Sequence, residues 1–178
     1  ISGVFGSSIA VEGDRLVVGA PLHTVAGGPT FNGMVFEYGF DGERWVETDR
    51  IPPPPGVTQE FGRSVVLRGD TLIAWSSSRM VRDPVFVYGR TAGEWVLEHT
   101  IEPPPGDQAG DFGRNIRLDD DWLFVSAAGD STTVRAGGSV YVYQREPDGG
   151  FAFFRKLTID FFGKFGTGLA YNGRSLLV

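Results

Sequence analysis

The sequence predicts an all-β repeat protein, and three observations support this prediction. The stretch at residues 5–21, FGSSIAVEGDRLVVGAP, is restated three times, from Phe61, Phe112 and Phe165. Each copy contains short runs of strand-forming apolar residues, and no long segment places apolar residues at helical spacing. The 26 glycines and 11 prolines among 178 residues are typical of a chain with many turns. We therefore expect almost no helix.

Each copy of this stretch is predicted to form a β-hairpin. Its first half places apolar residues at alternate positions, as Ile9 and Val11 do in the first copy. A tight turn follows, built from Gly and Asp in most copies, and such residues suit positive φ angles. The second half is a continuous apolar run, Leu16-Val17-Val18 in the first copy. A continuous run predicts a strand that is covered on both faces.

Two further strands complete the first unit, residues 5–60. A loop at 22–32, rich in Gly, Thr and Pro, leads to a third strand at Met34–Tyr38, whose alternation predicts a partly exposed strand. A fourth strand is predicted at Trp45–Ile51. The polyproline run at 52–56 cannot donate ladder hydrogen bonds, so it marks the end of the unit. One unit therefore has four strands.

The same order of elements recurs in two more units, residues 61–111 and 112–164, and a further hairpin follows at 165–178. Their predicted loops and strands are 76–83, Val85–Tyr88, Trp95–Ile101, 128–137, Val140–Tyr143 and Phe151–Leu157. The Phe-Gly pairs that open the units are 56, 51 and 53 residues apart. This spacing is nearly constant, as expected of a structural repeat with variable loops.

A four-stranded repeat of about this period, with strands covered on both faces, predicts a β-propeller. Residues 1–178 are expected to form one segment of four-stranded antiparallel blades: three complete blades and the first hairpin of a fourth. Such a segment does not close a ring, because propellers typically have about 4 to 8 blades. The chain is therefore expected either to be an excerpt of a longer propeller or to self-associate into a ring. A head-to-tail filament is the third possibility.

The opening residues also resemble a known repeat. Phe5-Gly6 followed by Gly19-Ala20-Pro21 resembles the FG-GAP repeat of integrin α-subunit propellers, and the unit is similar to the calcium-free form of that repeat in bacteria and archaea. Only the first copy keeps Gly-Ala-Pro, since Ser76-Ser77 and Ala127-Ala128 replace Ala-Pro in the next two. The resemblance implies a recognition or adhesion propeller that is extracellular or at the cell surface and is not catalytic.

Composition and charge exclude several kinds of site. The chain has no cysteine, so it has no thiolate metal site. The predicted hairpins are too short to supply the six to eight oxygen ligands of calcium, even where Asp119-Asp120-Asp121 occurs. The formal charge of -6 argues against nucleic acid, and no apolar run reaches transmembrane length. We therefore expect no metal, no cofactor, no nucleic-acid partner and no membrane insertion.

The leading functional hypothesis is a non-enzymatic module that binds a protein or a glycan through its rim loops. The chain has no Gly-x-Ser-x-Gly elbow, no phosphate-binding Gly loop and no His-Glu-x-x-His pair. The three long loops differ in length and composition, as a binding rim on a constant scaffold does. The candidate ligand contacts are polar loop residues and two tryptophans that break the repeat, namely His23, Arg79, Asp130, Arg135, Trp75 and Trp122.

Two other functions stay open from the sequence. In the first, the protein is structural, and its blade faces associate to complete a ring or a filament. In the second, it is a propeller hydrolase or lyase, which would need clustered carboxylates or a metal at the rim. The paired carboxylates Asp107 and Asp111 lie in a connector, where we expect them to be solvated. The sequence does not distinguish a glycan ligand from a protein ligand.

Overall fold

The computed structural model confirms an all-β fold made of four-stranded antiparallel blades, as in a β-propeller. It describes residues 3–24, 27, 31–77 and 83–178. Within these ranges no segment is helical, so no helix is long and apolar enough to cross a membrane. The strands are β1 (Ser8–Glu12), β2 (Arg15–Ala20), β3 (Met34–Phe40), β4 (Trp45–Ile51), β5 (Phe61–Arg68), β6 (Thr71–Ser76), β7 (Val85–Thr91), β8 (Glu94–Ile101), β9 (Phe112–Leu118), β10 (Trp122–Ala127), β11 (Ser139–Arg145), β12 (Phe151–Thr158), β13 (Ala170–Tyr171) and β14 (Leu176–Leu177).

Each blade is a simple meander in which spatial order follows chain order. Blade 1 contains β1 to β4, blade 2 contains β5 to β8, blade 3 contains β9 to β12, and β13 pairs with β14 alone. Glu12 pairs with Arg15 in blade 1, which leaves a two-residue turn at 13–14. Arg68 pairs with Thr71 in blade 2, which leaves the same turn at 69–70. The predicted hairpins are therefore confirmed.

The chain forms two compact units. Unit 1 comprises Ile1–Ser78 and Phe86–Glu98, and unit 2 comprises Arg79–Val85 and His99–Val178. In unit 1, the core joins blade 1 to blade 2 through Val17, Val35, Ile51, Phe61, Val65, Leu67, Leu72, Ala74, Phe86 and Tyr88. In unit 2, the core of blade 3 includes Phe124, Val140 and Val142, and Leu169 packs on it from the segment before β13.

Burial along the strands agrees with the predicted pattern in the second strands but only in part in the third. The apolar runs of β2, β6 and β10 are almost wholly buried, as a strand covered on both faces should be. The third strand of blade 1 is partly exposed only at its end: Met34 to Glu37 are all buried, Tyr38 and Gly39 are half-buried, and Phe40 is exposed. The charge of Glu37 is compensated by Arg90, which lies 53 residues further along the chain.

The Phe-Gly pairs at 61–62 and 165–166 lie at a junction with the preceding blade. Glu60, before Phe61, has a φ of 49°, and Gly62 has a φ of 83°. The Phe61 amide donates to the Asn32 carbonyl oxygen at 3.0 Å. Residues 164–166 repeat these positive φ angles in unit 2, and there Phe165 donates to the Gly137 carbonyl at 2.8 Å. The Phe-Gly repeat is therefore explained by the backbone geometry of the blade junction.

Candidate functional site

One position of the repeat carries a different titratable side chain in each of the three blades. It lies three residues beyond the second strand of the blade and is occupied by His23, Arg79 and Asp130. Its backbone is the same in blades 1 and 3, where the amides of His23 and Asp130 each donate to the carbonyl three residues earlier at 3.0 Å. Arg79 lies outside the described residues. A constant backbone that presents a variable polar side chain is what a binding rim requires.

Asp130 is the centre of a buried polar cluster in unit 2. Its side chain is 1% exposed, and both of its oxygens accept hydrogen bonds. Oδ1 accepts from the amide and the hydroxyl of Thr132, at 2.7 and 2.6 Å. Oδ2 accepts from Ser139 Oγ at 2.6 Å and from Lys156 Nζ at 2.7 Å, and it lies 3.0 Å from Tyr141 OH. This dense set of donors stabilises a carboxylate that burial alone would disfavour.

The cluster reaches the surface through Lys156 and Asp107. Lys156 Nζ lies 2.9 Å from Asp107 Oδ2, and the two side chains are 16% and 18% exposed. The Tyr141 hydroxyl has a single proton, which it donates to Asp107 Oδ2 at 2.7 Å, and the Lys156 ammonium lies 5.1 Å from the Tyr141 ring centroid. The expectation that Asp107 is merely solvated is therefore wrong. We call Asp107, Asp130, Tyr141 and Lys156 the rim cluster.

Strand pairing places the rim cluster at one end of blade 3. Ala127, the last residue of β10, pairs with Phe112, the first residue of β9. The connector at 103–111 and the loop at 128–137 therefore leave the sheet at the same end. Tyr141 pairs with Lys156 across β11 and β12, close to that end. The cluster thus combines one residue from a connector, one from a loop and two from strands.

The surroundings of Asp130 and Tyr141 shift the pKa values of both groups. Burial raises the pKa of Asp130, but the hydrogen bonds from Lys156, Ser139 and Thr132 outweigh burial and hold the pKa below its usual value of 3.8. Burial raises the pKa of Tyr141 well above its usual range, and its hydrogen bond to Asp107 raises it further. Near neutral pH, Asp130 is therefore an acceptor and Tyr141 a donor.

The lowered pKa of Asp130 predicts a loss of stability in acid. A carboxyl whose pKa is depressed by folding stabilises the native state above its unfolded pKa, and this contribution disappears as pH falls through the folded pKa. The difference in free energy of unfolding between the wild type and Asp130→Asn should be constant above about pH 5 and shrink below about pH 4. Urea unfolding of both proteins from pH 2 to pH 7 measures it. A difference that does not change with pH would contradict the assignment.

The other candidate residues lie in different environments. His23 packs its ring edge-on against Phe36 at 5.5 Å between centroids, and its Nδ1 has no hydrogen-bond partner among the described residues. Trp75 is 1% exposed, so it lies in the interior. Trp122 packs against Phe154 at 5.1 Å, at the end of β10 opposite Asp130. Arg135 is exposed in the same loop as Asp130.

Trp122 lines a shallow cavity of about 280 Å³ in unit 2. Its wall is formed by Trp122, Phe124, Val142, Phe154, Arg155, Leu157, Tyr171, Arg174 and Leu176. Most of these side chains are apolar, and Phe124 packs on Tyr171 at 4.7 Å between centroids. The cavity therefore lies along the core between blade 3 and the hairpin β13–β14, and it is separate from the rim cluster.

Asp130 was among the candidates named from the sequence, whereas its partners Asp107, Tyr141 and Lys156 were not. One signal was present in the repeat itself. Tyr141 occupies the position of Phe36 and Phe86, so its hydroxyl is an addition to a position that is otherwise apolar. A buried hydroxyl needs a partner, and that requirement points to polar residues nearby.

Comparisons with known proteins support the fold. No family model and no curated protein matches the chain. Its structure is similar to the crystal structure of a candidate 6-phosphogluconolactonase from Bacteroides fragilis, with a TM-score of 0.59 and 15% sequence identity. The match covers 85% of this chain and 38% of that one, so this chain spans well under half of the neighbour's length. At this identity the likeness shows a shared fold.

These comparisons correct two expectations from the sequence. The resemblance to the FG-GAP family is not supported, because no family model matches and the structural neighbour is a propeller of another description. The Phe-Gly pairs recur for the packing reasons given above, and the comparisons give no support to an integrin-like or adhesive role. The expectation that the chain is not an enzyme is also overturned, since a protein of this fold is described as a candidate enzyme.

Proposed function

We propose that this chain is part of a β-propeller protein that binds a small polar ligand at the rim of unit 2. The observation that supports this proposal is the rim cluster, in which a buried Asp130 fixes the partly exposed pair Asp107 and Lys156. Groups that are already held in place lose little conformational entropy when a ligand binds.

The charge of the rim cluster limits the class of ligand. Two carboxylates surround one ammonium group, which gives the cluster a net charge of -1. Because the site is negative and its ammonium group is already paired with carboxylates, it disfavours binding of an isolated anion. Hydroxyl groups can donate to the carboxylates and accept from the ammonium group. A neutral, hydroxyl-rich molecule such as a sugar is therefore the ligand that this rim suits best.

Hydrolysis of a sugar lactone is the second candidate function, and the Asp107 and Lys156 pair favours it. Asp107 would accept a proton from water as the water oxygen bonds to the lactone carbonyl carbon, and Lys156 would stabilise the negative charge that forms on the carbonyl oxygen. The ring C–O bond would then break, and the proton would pass to the departing alkoxide. The fold shared with a candidate 6-phosphogluconolactonase agrees with this reaction class.

Substitution of Asp107 separates a binding role from a structural one. We expect Asp107→Asn to weaken binding of neutral sugars about tenfold or more, because it removes a charged hydrogen-bond acceptor. Titration calorimetry with a panel of methyl glycosides and glucono-lactone measures the affinity. The same lactone, followed by acid release, tests hydrolysis, for which loss of a general base lowers the rate by about 10²- to 10⁴-fold.

Asp111→Asn is the matched control, because Asp111 lies in the same connector and, within the described residues, its carboxylate pairs with the exposed Arg114 at 3.5 Å. We expect this variant to bind as the wild type does. Equal affinities in the wild type and Asp107→Asn, or equal losses in the two variants, would contradict the proposal. Binding without lactone hydrolysis would leave recognition as the function of the rim and would exclude the second candidate.

A further inference from the structure

A second cavity lies in unit 1 and shares no lining residue with the rim cluster. It has a volume of about 350 Å³, which is within the range of small-molecule sites. Strand β4 forms one side, and β7 with the turn into β8 forms the other. Its wall consists of Glu37, Thr48, Asp49, Arg50, Ile51, Pro52, Arg90, Gly93, Glu94 and Trp95.

Glu37 is the unusual residue of this wall. The equivalent positions in blades 2 and 3 are Val87 and Val142, so the repeat does not require a charge here. Glu37 is nevertheless 1% exposed, and burying a carboxylate is costly unless it is paired. Oε1 accepts a hydrogen bond from Arg90 at 2.5 Å, while Oε2 has no partner among the described residues. One half of a buried carboxylate therefore still lacks a donor.

Trp95 supplies the complementary group in the same wall. The Arg90 guanidinium lies 5.3 Å from the centroid of its ring. Its indole Nε1 is buried and, within the part of the chain that the structure describes, has no acceptor. Buried polar groups almost always have partners, so each such group calls for an explanation. The cavity thus combines an acceptor that lacks a donor with a donor that lacks an acceptor.

The two groups together define the chemistry of an occupant. A hydroxyl group donates to a carboxylate and accepts from an indole N–H. An ammonium group offers no acceptor for Trp95, and a carboxylate or phosphate offers no donor for Glu37. The wall contains three acidic residues and two arginines, namely Glu37, Asp49, Glu94, Arg50 and Arg90. Both arginines already form ion pairs with glutamates. The wall therefore offers no unpaired arginine to an anion.

We propose that this cavity is a binding site for a neutral hydroxyl-rich ligand, a monosaccharide or the terminal sugar of a glycan. Glu37 accepts a hydrogen bond from a hydroxyl group of the ligand, Trp95 donates one to a hydroxyl oxygen, and Arg90 holds Glu37 in place. The inference does not depend on the rim of unit 2, because the residues that carry it all belong to unit 1. Either site can be present without the other.

The indole N–H resonance of Trp95 reports directly on this site. The ¹H–¹⁵N spectrum of the 178-residue chain contains four indole signals, one per tryptophan, and Trp95→Phe identifies the one concerned. We expect methyl glycosides of common hexoses to shift the Trp95 signal saturably. The Trp45 signal should stay in place, because Trp45 occupies the equivalent position in blade 1 but does not line the cavity.

Variants of Glu37 test the other half of the site. Glu37→Gln should weaken the glycoside affinity about tenfold or more, since it replaces a charged acceptor. Glu37→Val installs the residue of the other two blades, so it provides a folded protein without the acceptor and should abolish the shift. Glu43→Gln, in an exposed turn outside the cavity, should bind as the wild type does.

Three results would overturn the proposal. The first is that no glycoside moves the Trp95 signal. The second is that the shift persists unchanged in Glu37→Val while that variant stays folded. The third is that the Trp95 N–H shows contacts only to long-lived water, which would mean that water alone satisfies both groups.

Discussion

Gly62→Ala is expected to lower the free energy of unfolding by about 3 kcal/mol or more, because two penalties combine. Gly62 has a φ of 83°, which costs an alanine about 1–2 kcal/mol. A Cβ at this position would also lie 2.8 Å from the Met34 carbonyl oxygen and 3.0 Å from Val35 Cγ2. Backbone of the preceding blade would have to move, so the junction between blades 1 and 2 should weaken. Urea unfolding measures the effect.

Gly6→Ala is the control for this prediction, since Gly6 is the same repeat position in blade 1. Its φ is 88°, and a Cβ there would meet nothing within 4 Å. It should therefore cost only the conformational penalty of about 1–2 kcal/mol. If the two variants were equally stable, the Phe-Gly repeat would serve local conformation alone, and its explanation by blade packing would be wrong.

Lys156→Met is expected to cost about 3–5 kcal/mol, because it leaves the Asp107 and Asp130 carboxylates together without their shared cation. Asp130 is buried, so solvent cannot replace the missing ammonium group. Methionine has a similar length and keeps most of the packing of the lysine stem. Chemical unfolding at neutral pH gives the free energy, and the double variant Lys156→Met/Asp130→Asn should recover part of the loss.

Arg50→Met is the matched control for Lys156→Met. Arg50 pairs with Phe36 across β3 and β4 as Lys156 pairs with Tyr141, and its guanidinium lies 5.4 Å from the Phe36 ring. Its ion pair with Glu47 is exposed, with side chains 60% and 33% accessible. Exposed pairs contribute about 1 kcal/mol or less. A similar loss in both variants would show that Lys156 matters for packing and not for charge.

The fold was predictable from the sequence because the residues that specify each hairpin lie close together in the chain and recur in every repeat. Each hairpin is specified by alternation, a turn and a continuous apolar run within about fifteen residues. Ile9 and Val11 in β1 are exposed, whereas their counterparts Val65 and Leu67 in blade 2 are buried. Val65 and Leu67 are buried because blade 1 packs against them. Because the pattern occurs in four copies, the fold can still be recognised when a single copy carries a substitution.

The candidate sites were less predictable because their chemistry is not local. Asp107 was expected to be solvated, and its partner Lys156 lies 49 residues away in β12. Glu37 lies in a strand that alternation predicts to be partly exposed, and Arg90, which compensates its charge, belongs to the next blade. In both cases the informative signal was a polar side chain at a position that other copies fill with an apolar one. Comparison of copies, position by position, identifies such residues without a structure.

The family assignment failed for a related reason. A Phe-Gly pair followed by Gly-Ala-Pro resembles the FG-GAP repeat, whereas the structure gives the Phe-Gly pair a physical cause at the blade junction. Gly19 has such a cause too, because it faces Gly62 of the next blade across that junction. Residues that are required for packing recur within one chain, so their recurrence is weak evidence that the chain belongs to a particular family. Function has to be argued from the sites, since one fold supports many activities.

Mapping amide chemical shifts during a sugar titration tests the central claim most directly. The claim is that the rim cluster of unit 2 is a preformed site for a hydroxyl-rich ligand. We predict saturable shifts at the amides around the cluster, including Gln108, Thr132 and Ser139, and their loss in Asp107→Asn. Sugar-induced shifts that are absent from this region, or that persist unchanged in Asp107→Asn, would contradict the account.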